Sequence, residues 1–466
     1  LPVPGAAEDP RAVNRLFLGR EGLRFVDRTA ASGAAADSGY GQGCAAGDVD
    51  GDGDTDLYVT NFGADRLFTN DGAARFADGT AASGLGDPRW TAGATFFDAD
   101  RDGDLDLYVT GYVAIDVTDP EWCGRREAGW RSYCHPDRYA GLDDRFWRND
   151  GSGRFREETL AAGLTSTAGK GLGALPVDAD LDGDLDLYVA NDSVENKLWS
   201  NTDGRFEDAT LLSGTGVNGS GATEAGMGLA ALDFDGDLDL DLYVTNFDNE
   251  SNTLYRNDGQ WFSDATVAAG LEGPSRLPVG FGVVAEDFDL DGDPDLVVAN
   301  GHIIHNIELY HDGKRWAQRP QLYINGGRRF TPGVDRAGDL ARNPVVGRAL
   351  LVGDLDRDGD GDLVLVECNG PARLLRNDAP AGDAGSWTVT GLEPHAVLRA
   401  TLDDGGQRLL LNGPAPTYYG ACAPEARVGL PPGRRLVTLE RLSPAGPELE
   451  LDGAREFAPG RWRLDL

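Results

Sequence analysis

Six times along this chain aspartate recurs at every second position through a nine-residue stretch: Asp48–Asp56, Asp98–Asp106, Asp178–Asp186, Asp233–Asp241, Asp287–Asp295 and Asp354–Asp362. This limits the fold more than any other feature, because self-similarity at a near-constant interval means that one supersecondary unit is reused. The starts lie 50, 80, 55, 54 and 67 residues apart. A Gly-containing apolar run such as Gly43-Cys44-Ala45-Ala46-Gly47 precedes each stretch, and a run such as Leu57-Tyr58-Val59-Thr60 follows it, which reads as strand, loop, strand. Leu67-Phe68-Thr69-Asn70-Asp71-Gly72 and the isolated Phe76 then read as a third strand, a tight turn and a fourth strand. Four strands in a unit of about 50 residues is the arithmetic of a β-propeller blade.

The two halves of the unit are unequal in number. Leu16-Phe17-Leu18 with Phe25 matches the turn-and-Phe half ahead of the first Asp loop, so that half is counted seven times, the last copy at Leu374-Leu375-Arg376-Asn377 without its Phe, against six for the Asp half. An all-β propeller of seven blades results if these N-terminal strands complete a last blade with strands from the C-terminal part. Six blades with a separate C-terminal β module is the rival. The expected organisation is a tail over residues 1–13, a propeller over 14–382 and a small β module over 383–466 that either closes the last blade or stands apart. Two insertions break the period, residues 112–142 with Cys123 and Cys134, and residues 301–319 with His302, His305 and His311. Such insertions are expected to emerge as loops on a face, where function concentrates.

The carboxylates at positions 1, 3, 5 and 9 of each loop can converge on one point. They are Asp48, Asp50, Asp52 and Asp56; Asp98, Asp100, Asp102 and Asp106; Asp178, Asp180, Asp182 and Asp186; Asp233, Asp235, Asp237 and Asp241; Asp287, Asp289, Asp291 and Asp295; and Asp354, Asp356, Asp358 and Asp362. A Gly at position 6 suits the sharp turn, and position 7 offers a backbone carbonyl. Hard oxygen donors in that number fit Ca²⁺ better than Zn²⁺, which favours His and Cys, or Mg²⁺, which keeps more of its water. About six Ca²⁺ sites are therefore expected. The fourth has Leu238 in place of the Gly and is expected to be the weakest.

The balance of charge agrees. With 78 acidic and 42 basic side chains the formal charge is -36, which disfavours nucleic acid and anionic membrane surfaces as partners. A chain that is 40% hydrophobic is not solvated disorder, so bound cations are the reading left. No run approaches the roughly 18 apolar residues of a membrane span, and membrane insertion is not expected. The chain opens Leu1-Pro2-Val3-Pro4, read as a processed start, with the export signal out of view.

The blades resemble the FG-GAP/VCBS repeats of integrin α-subunit propellers and of many exported bacterial proteins. In finer detail the order of landmarks is similar to the cartilage acidic protein (ASPIC/UnbV) family. The segments are Tyr133-Cys134-His135-Pro136 leading to Asp144-Arg145-Phe146-Trp147-Arg148-Asn149, Ala190-Asn191-Asp192-Ser193, Glu224-Ala225-Gly226-Met227-Gly228, Thr245-Asn246-Phe247, Ala299-Asn300-Gly301-His302, and Arg348-Ala349 before Gly353-Asp354. Beyond Asp378 the likeness fades. Residues 386–466 resemble a degenerate C-terminal module of that family, its Gly-Leu-Gly standing here as Gly429-Leu430-Pro431 and its Trp-Pro missing. The resemblance implies calcium binding, export and an extracellular or periplasmic setting. Some bacterial members are encoded with enediyne antibiotic biosynthesis.

Five cysteines in an exported chain suggest disulfides, with one left over. Cys123 and Cys134 are expected to pair within their insertion, Cys368 with Cys422 is a candidate bridge to the C-terminal module, and Cys44 in an apolar strand reads as a buried thiol. Asp192, Asn196, Glu224, Asn246, Asn300, His302 and His305 fall after strands or between blades. They are expected to share one face as a candidate ligand site, with His302 and His305 as candidates for an added transition metal. The expected function is a secreted calcium-binding scaffold that receives a protein, a glycan or a small polar ligand on that face. The alternative is a calcium-supported enzyme of secondary metabolism with a polar site on the propeller axis, although no nucleophile elbow, P-loop or zincin motif is present.

Overall fold

The structure, a computed structural model, describes residues 13–20, 22–35, 39–165, 168–259, 261–379, 385–413, 418, 420–422, 424–443, 449, 451, 455–458 and 461–465. Five four-stranded antiparallel meanders follow one another, with first strands Tyr40–Gly47, Thr91–Phe97, Gly171–Val177, Leu229–Leu232 and Gly280–Glu286. A sixth sheet has three strands, Gly347–Gly353, Asp362–Glu367 and Arg373–Leu375. The first strand of each sheet touches the first strand of the next, so the sheets stand side by side as propeller blades do.

Local sequence explains the strands. The second strands Asp106–Gly111 and Asp186–Asn191 are buried along their whole length, as Leu-Tyr-Val cores suit a strand covered on both faces. Adjacent sheets share their cores: Phe97, Tyr108 and Phe146 of the second pack with Leu187, Trp199 and Phe206 of the third. Each such side chain contributes about 1.5–3 kcal/mol on burial.

The Asn of each turn ties sheet to sheet. Asn149 Nδ2 donates to Val49 O at 2.8 Å, Asn201 to Ala99 O at 2.8 Å, Asn257 to Ala179 O at 2.7 Å, Asn325 to Phe234 O at 2.9 Å and Asn377 to Phe288 O at 2.9 Å. In every case the acceptor is position 2 of the preceding repeat's Asp loop. Asn70, in the first repeat, reaches only its own Thr55 O.

The N-terminal strands Phe17–Arg20 and Arg24–Asp27 pair with each other alone among the described residues. The C-terminal strands do not join them to make a blade. They form a separate two-sheet module, Gly385–Thr390 with Glu425–Leu430, Arg461–Asp465 and Arg455–Ala458 in one sheet, and Val397–Leu402 with Gln407–Leu411 and Leu436–Ser443 in the other. Its own core of Val389, Leu398, Ala400, Val428 and Leu439 accounts for its independence. The expected tail, apart from Val13, and the expected 382/383 boundary lie outside the described residues.

This module lies against the ends of the repeats that carry Asp loops. Val397 and Leu409 join the core of the third and fourth sheets, and the fully buried Arg427 bonds Glu286 at 2.9 Å and Glu425 at 2.8 Å. Gly429 approaches Asp287 so closely that a β-carbon there would sit 1.9 Å from a carboxylate oxygen. Tyr418 reaches the opposite end of the first strands, packing with Ala92, Leu172, Met227, Val279 and Phe281.

Candidate metal centres and the opposite face

The Asp at position 1 shapes each loop. Asp48 accepts the N–H groups of Gly51, Asp52 and Gly53 at 2.8–3.2 Å, and Asp178 those of Asp182 and Gly183 at 3.0 Å. The Asp at position 9 joins loop to sheet. Asp186 accepts from Ala179 N at 3.2 Å and, through its other oxygen, from Asn201 N at 2.8 Å. The same pair of bonds recurs at Asp56, Asp241, Asp295 and Asp362. Their burial has an electrostatic cost. Desolvation pushes Asp186, Asp241 and Asp295 up to about 8, and Asp362 to about 6, despite those bonds.

In five loops three carboxylates bring oxygens within 4.8 Å of one another: Asp48, Asp50 and Asp56; Asp98, Asp100 and Asp102; Asp178, Asp180 and Asp182; Asp233, Asp235 and Asp241; Asp287, Asp289 and Asp291. One oxygen of the position-3 carboxylate is buried without a donor in four repeats, at Asp100, Asp235, Asp289 and Asp356. Buried acceptors are normally satisfied. A hard divalent cation bound by oxygen supplies what these lack, so the donor set fits Ca²⁺. The second loop has a partial substitute of its own, since the Arg148 guanidinium lies 2.7 Å from Asp100 and 2.8 Å from Asp106.

Backbone geometry corrects the sequence reading of the turn in one respect. Each loop needs left-handed backbone at two positions, not one. Position 6 is Gly in five loops and Leu238 at φ 73° in the fourth, while position 4 is held by Arg101, Leu181, Leu290 and Arg357 at φ 56–64° and by Gly51 and Gly236. The fourth loop thus has its Gly at the other position and closes the same bonds to Asp233, with Leu238 packed against the core of the third and fourth sheets. Nothing in the sequence pattern alone marks position 4, because four of its six residues carry side chains.

The candidate face lies at the other end of the sheets. Asp192 accepts from the Tyr112 hydroxyl at 2.6 Å, and Glu224 accepts from Asn218, Asn246 and Thr253 at 2.9, 3.0 and 2.6 Å. Burial raises the pKa of both acids. Asn196 accepts from Asn191 N and donates to Tyr188 Oη, a blade-internal role. Asn300 donates to Arg319 O and Gln321 and keeps a buried oxygen without a donor. His302 is 1% exposed; its Nδ1 accepts from Ile304 N at 3.0 Å and its Nε2 faces Asp248 at 3.2 Å. Both ring nitrogens of His302 thus have protein partners. Asp248 also pairs with Lys314; burial raises its pKa, and His302 and Lys314 outweigh that to hold it below the ordinary range. His305 lies edge-on to Tyr133, with ring centroids 6.2 Å apart.

Sequence reading did not single out Tyr112, Asp248, Lys314 or Glu250, whose Oε2 accepts from Ala225 N and Phe247 N at 3.0 and 3.2 Å. Nor did it place the two insertions together. Asn306 donates to Gly129 O at 2.7 Å and Arg131 O at 3.1 Å, and the Tyr310 and Trp130 rings meet at 5.3 Å. Loops from the second and fifth repeats therefore meet on this face. Cys123 and Cys134 form the expected disulfide. Cys44, Cys368 and Cys422 are unpaired. Cys422 points its sulfur at Val352 N instead of at Cys368, and burial pushes its thiol up to about 11.

The architecture is that of a propeller-type repeat protein. More specifically, the FG-GAP-like repeat model matches residues 48–109, 178–244 and 233–298, and the chain carries FG-GAP-like repeats. Comparison with curated proteins gives no significant match. Among solved structures, the chain is similar to a lectin of Agrocybe aegerita that recognises non-reducing terminal N-acetylglucosamine, at 16% identity over 78% of this chain and 89% of the lectin, with a TM-score of 0.43. PorZ, a surface component of the type-IX secretion system of Porphyromonas gingivalis, is 12% identical over 94% of this chain and 55% of its own, TM-score 0.43. YCF48 from Cyanidioschyzon merolae is 8% identical over 72% and 96%, TM-score 0.34.

Proposed function

We propose that this chain is an exported binding scaffold of propeller type whose six Asp loops hold Ca²⁺, and whose loop-covered face receives a protein, glycan or small polar ligand. The observation that carries the calcium reading is the set of buried, donor-less oxygens at Asp100, Asp235, Asp289 and Asp356, the first three each inside a cluster of three carboxylates. The Cys123–Cys134 disulfide supports an oxidising compartment. In the metal-bound protein the position-1, -3, -5 and -9 carboxylates would ligate the ion, and the position-1 bonds to backbone N–H would hold the loop in shape around it. The cation's role is structural, and recognition falls to the opposite face.

The test is thermal unfolding of protein stripped with chelator and titrated with Ca²⁺ or Mg²⁺. A ligand that binds only the folded state stabilises by about 2.7 kcal/mol at one hundred times its Kd, so the midpoint is expected to climb saturably with Ca²⁺ and much less with Mg²⁺. Asp289→Ala should reduce the gain. A midpoint indifferent to both chelator and Ca²⁺ would remove the calcium reading.

A further inference from the structure

The N-terminal half-unit and each of the first five repeats end in a Phe, and eight residues later comes a Gly: Phe25 and Gly33, Phe76 and Gly84, Phe155 and Gly163, Phe206 and Gly214, Phe262 and Gly270, Phe330 and Gly338. Five of these glycines are covered by the next repeat's Phe. A β-carbon at Gly33, Gly84, Gly163, Gly214 or Gly270 would meet the carbonyl oxygen of Phe76, Phe155, Phe206, Phe262 or Phe330 at 2.2, 3.0, 2.3, 3.1 and 2.9 Å. The strand bearing that Phe is the fourth of its sheet. It pairs with the third strand so that the Phe stands opposite the stapling Asn, as in Asn149↔Phe155, Asn201↔Phe206 and Asn325↔Phe330.

At Gly338 the series stops. Among the described residues, a β-carbon there would meet nothing within 4 Å, and no strand pairs with the outer edge of Arg373–Leu375. A groove of about 590 Å³ lies in its place. Its apolar lining includes Phe288, Val297, Leu322, Ala337, Leu340 and Leu375. These are the counterparts of the residues that seat the Phe elsewhere: Phe288 corresponds to Phe234, which stacks on Phe330 at 6.3 Å, and Leu322 to Phe146, which meets Phe206 at 5.6 Å. The stapling Asn377 is in position and bonded. At the spacing the other repeats use, this repeat has no aromatic, since Gly382 and Asp383 stand five and six residues after Asn377 where the others have Phe.

We propose that this groove is a docking site for an extended Phe-bearing segment of a partner protein, which adds a strand beside Arg373–Leu375 by β-augmentation. The five filled copies define the chemistry of the segment. Arg precedes the Phe in four of them, at Arg75, Arg154, Arg205 and Arg329, and a carboxylate follows two residues after it in four, at Asp78, Glu157, Asp208 and Asp264. Backbone bonds to Arg373–Leu375 supply affinity, and the aromatic seat supplies selectivity. The groove borders the fifth and sixth Asp loops through Phe288 and Gly361, but its apolar lining and strand edge use none of the carboxylates on which the calcium reading rests, and a titration run with and without Ca²⁺ keeps the two apart.

A fluorescent peptide copying residues 203–210 of this chain, titrated with the full chain and followed by anisotropy, tests this. Saturable binding in the micromolar range is expected, weakened about tenfold or more by Phe206→Ala in the peptide. Leu322→Arg in the protein should abolish binding while its melting temperature is checked alongside. Absence of saturable binding at about 1 mM, or equal binding of the Phe206→Ala peptide, would overturn the proposal whatever the protein variant does. So would a dimer in sedimentation that Leu322→Arg dissolves, since a second copy would then be the occupant.

Discussion

A carboxylate and an amide hold the same position in successive repeats. Asp144 accepts from the Tyr108 hydroxyl and Gly111 N, both at 2.8 Å, whereas Asn196 and Asn252 meet Tyr188 and Tyr243 in the corresponding places. Burial pushes Asp144 up to about 7 from an ordinary 3.8. Between those values the folded state holds more protons than the unfolded, so this residue's contribution to stability falls as pH rises from about 4 to about 7. At roughly 1.4 kcal/mol per pH unit the loss is on the order of 4 kcal/mol. Asp144→Asn should therefore gain on the wild type as pH rises across that interval, read as the difference between their urea midpoints at pH 5 and pH 8. A constant difference would refute the assignment. A second residue-scale test concerns loop strain. Arg357, exposed and at φ 64°, occupies a position where two sister loops have Gly, and Arg357→Gly is expected to stabilise the protein by about 1 kcal/mol in urea unfolding. The need for left-handed backbone at position 6 was legible because Gly stands there five times; at position 4 four side chains concealed it.

The strands were legible for a simple reason. Alternation, β-branched cores and Asn-Gly turns are local signals, and the Asp loops marked every first-to-second strand connection. What the turn Asn does was not, because its side chain bonds a residue about one hundred positions earlier, as Asn149 does Val49. This gives a comparison between elements. Asn257→Ala removes bonds to Ala179 O and Leu240 O and leaves a buried carbonyl unpaired, a loss of about 1–3 kcal/mol. Asn70→Ala removes one bond within its own repeat and should cost clearly less. Equal losses in chemical denaturation would show that the link between sheets adds nothing. The meeting of the two insertions was equally out of reach, since Asn306 and Gly129 lie 177 residues apart and share no pattern.

For the whole molecule, sequence showed that residues near the C-terminus alternate like strands but not where they pack. Their placement rests on contacts with no repeat to announce them, above all the Arg427, Glu286 and Glu425 group beside Asp354. Arg427→Met takes the guanidinium from two largely buried carboxylates, leaving, among the described residues, Glu425 with Arg463 at 3.7 Å and Glu286 uncompensated, a change that costs roughly 3 kcal/mol. The expected result is an early unfolding transition in the module, separable from that of the repeats by hydrogen exchange of peptides spanning Val397–Leu402 and Glu425–Leu430; a single unshifted transition would contradict it. One further consequence follows from the direction of the links. Every stapling Asn and every seated Phe reaches back to a repeat made earlier, never forward. A chain emerging from its N-terminal end would thus find the seats for each new repeat's Asn and Phe already made, so the repeats could add one blade at a time in the order of synthesis.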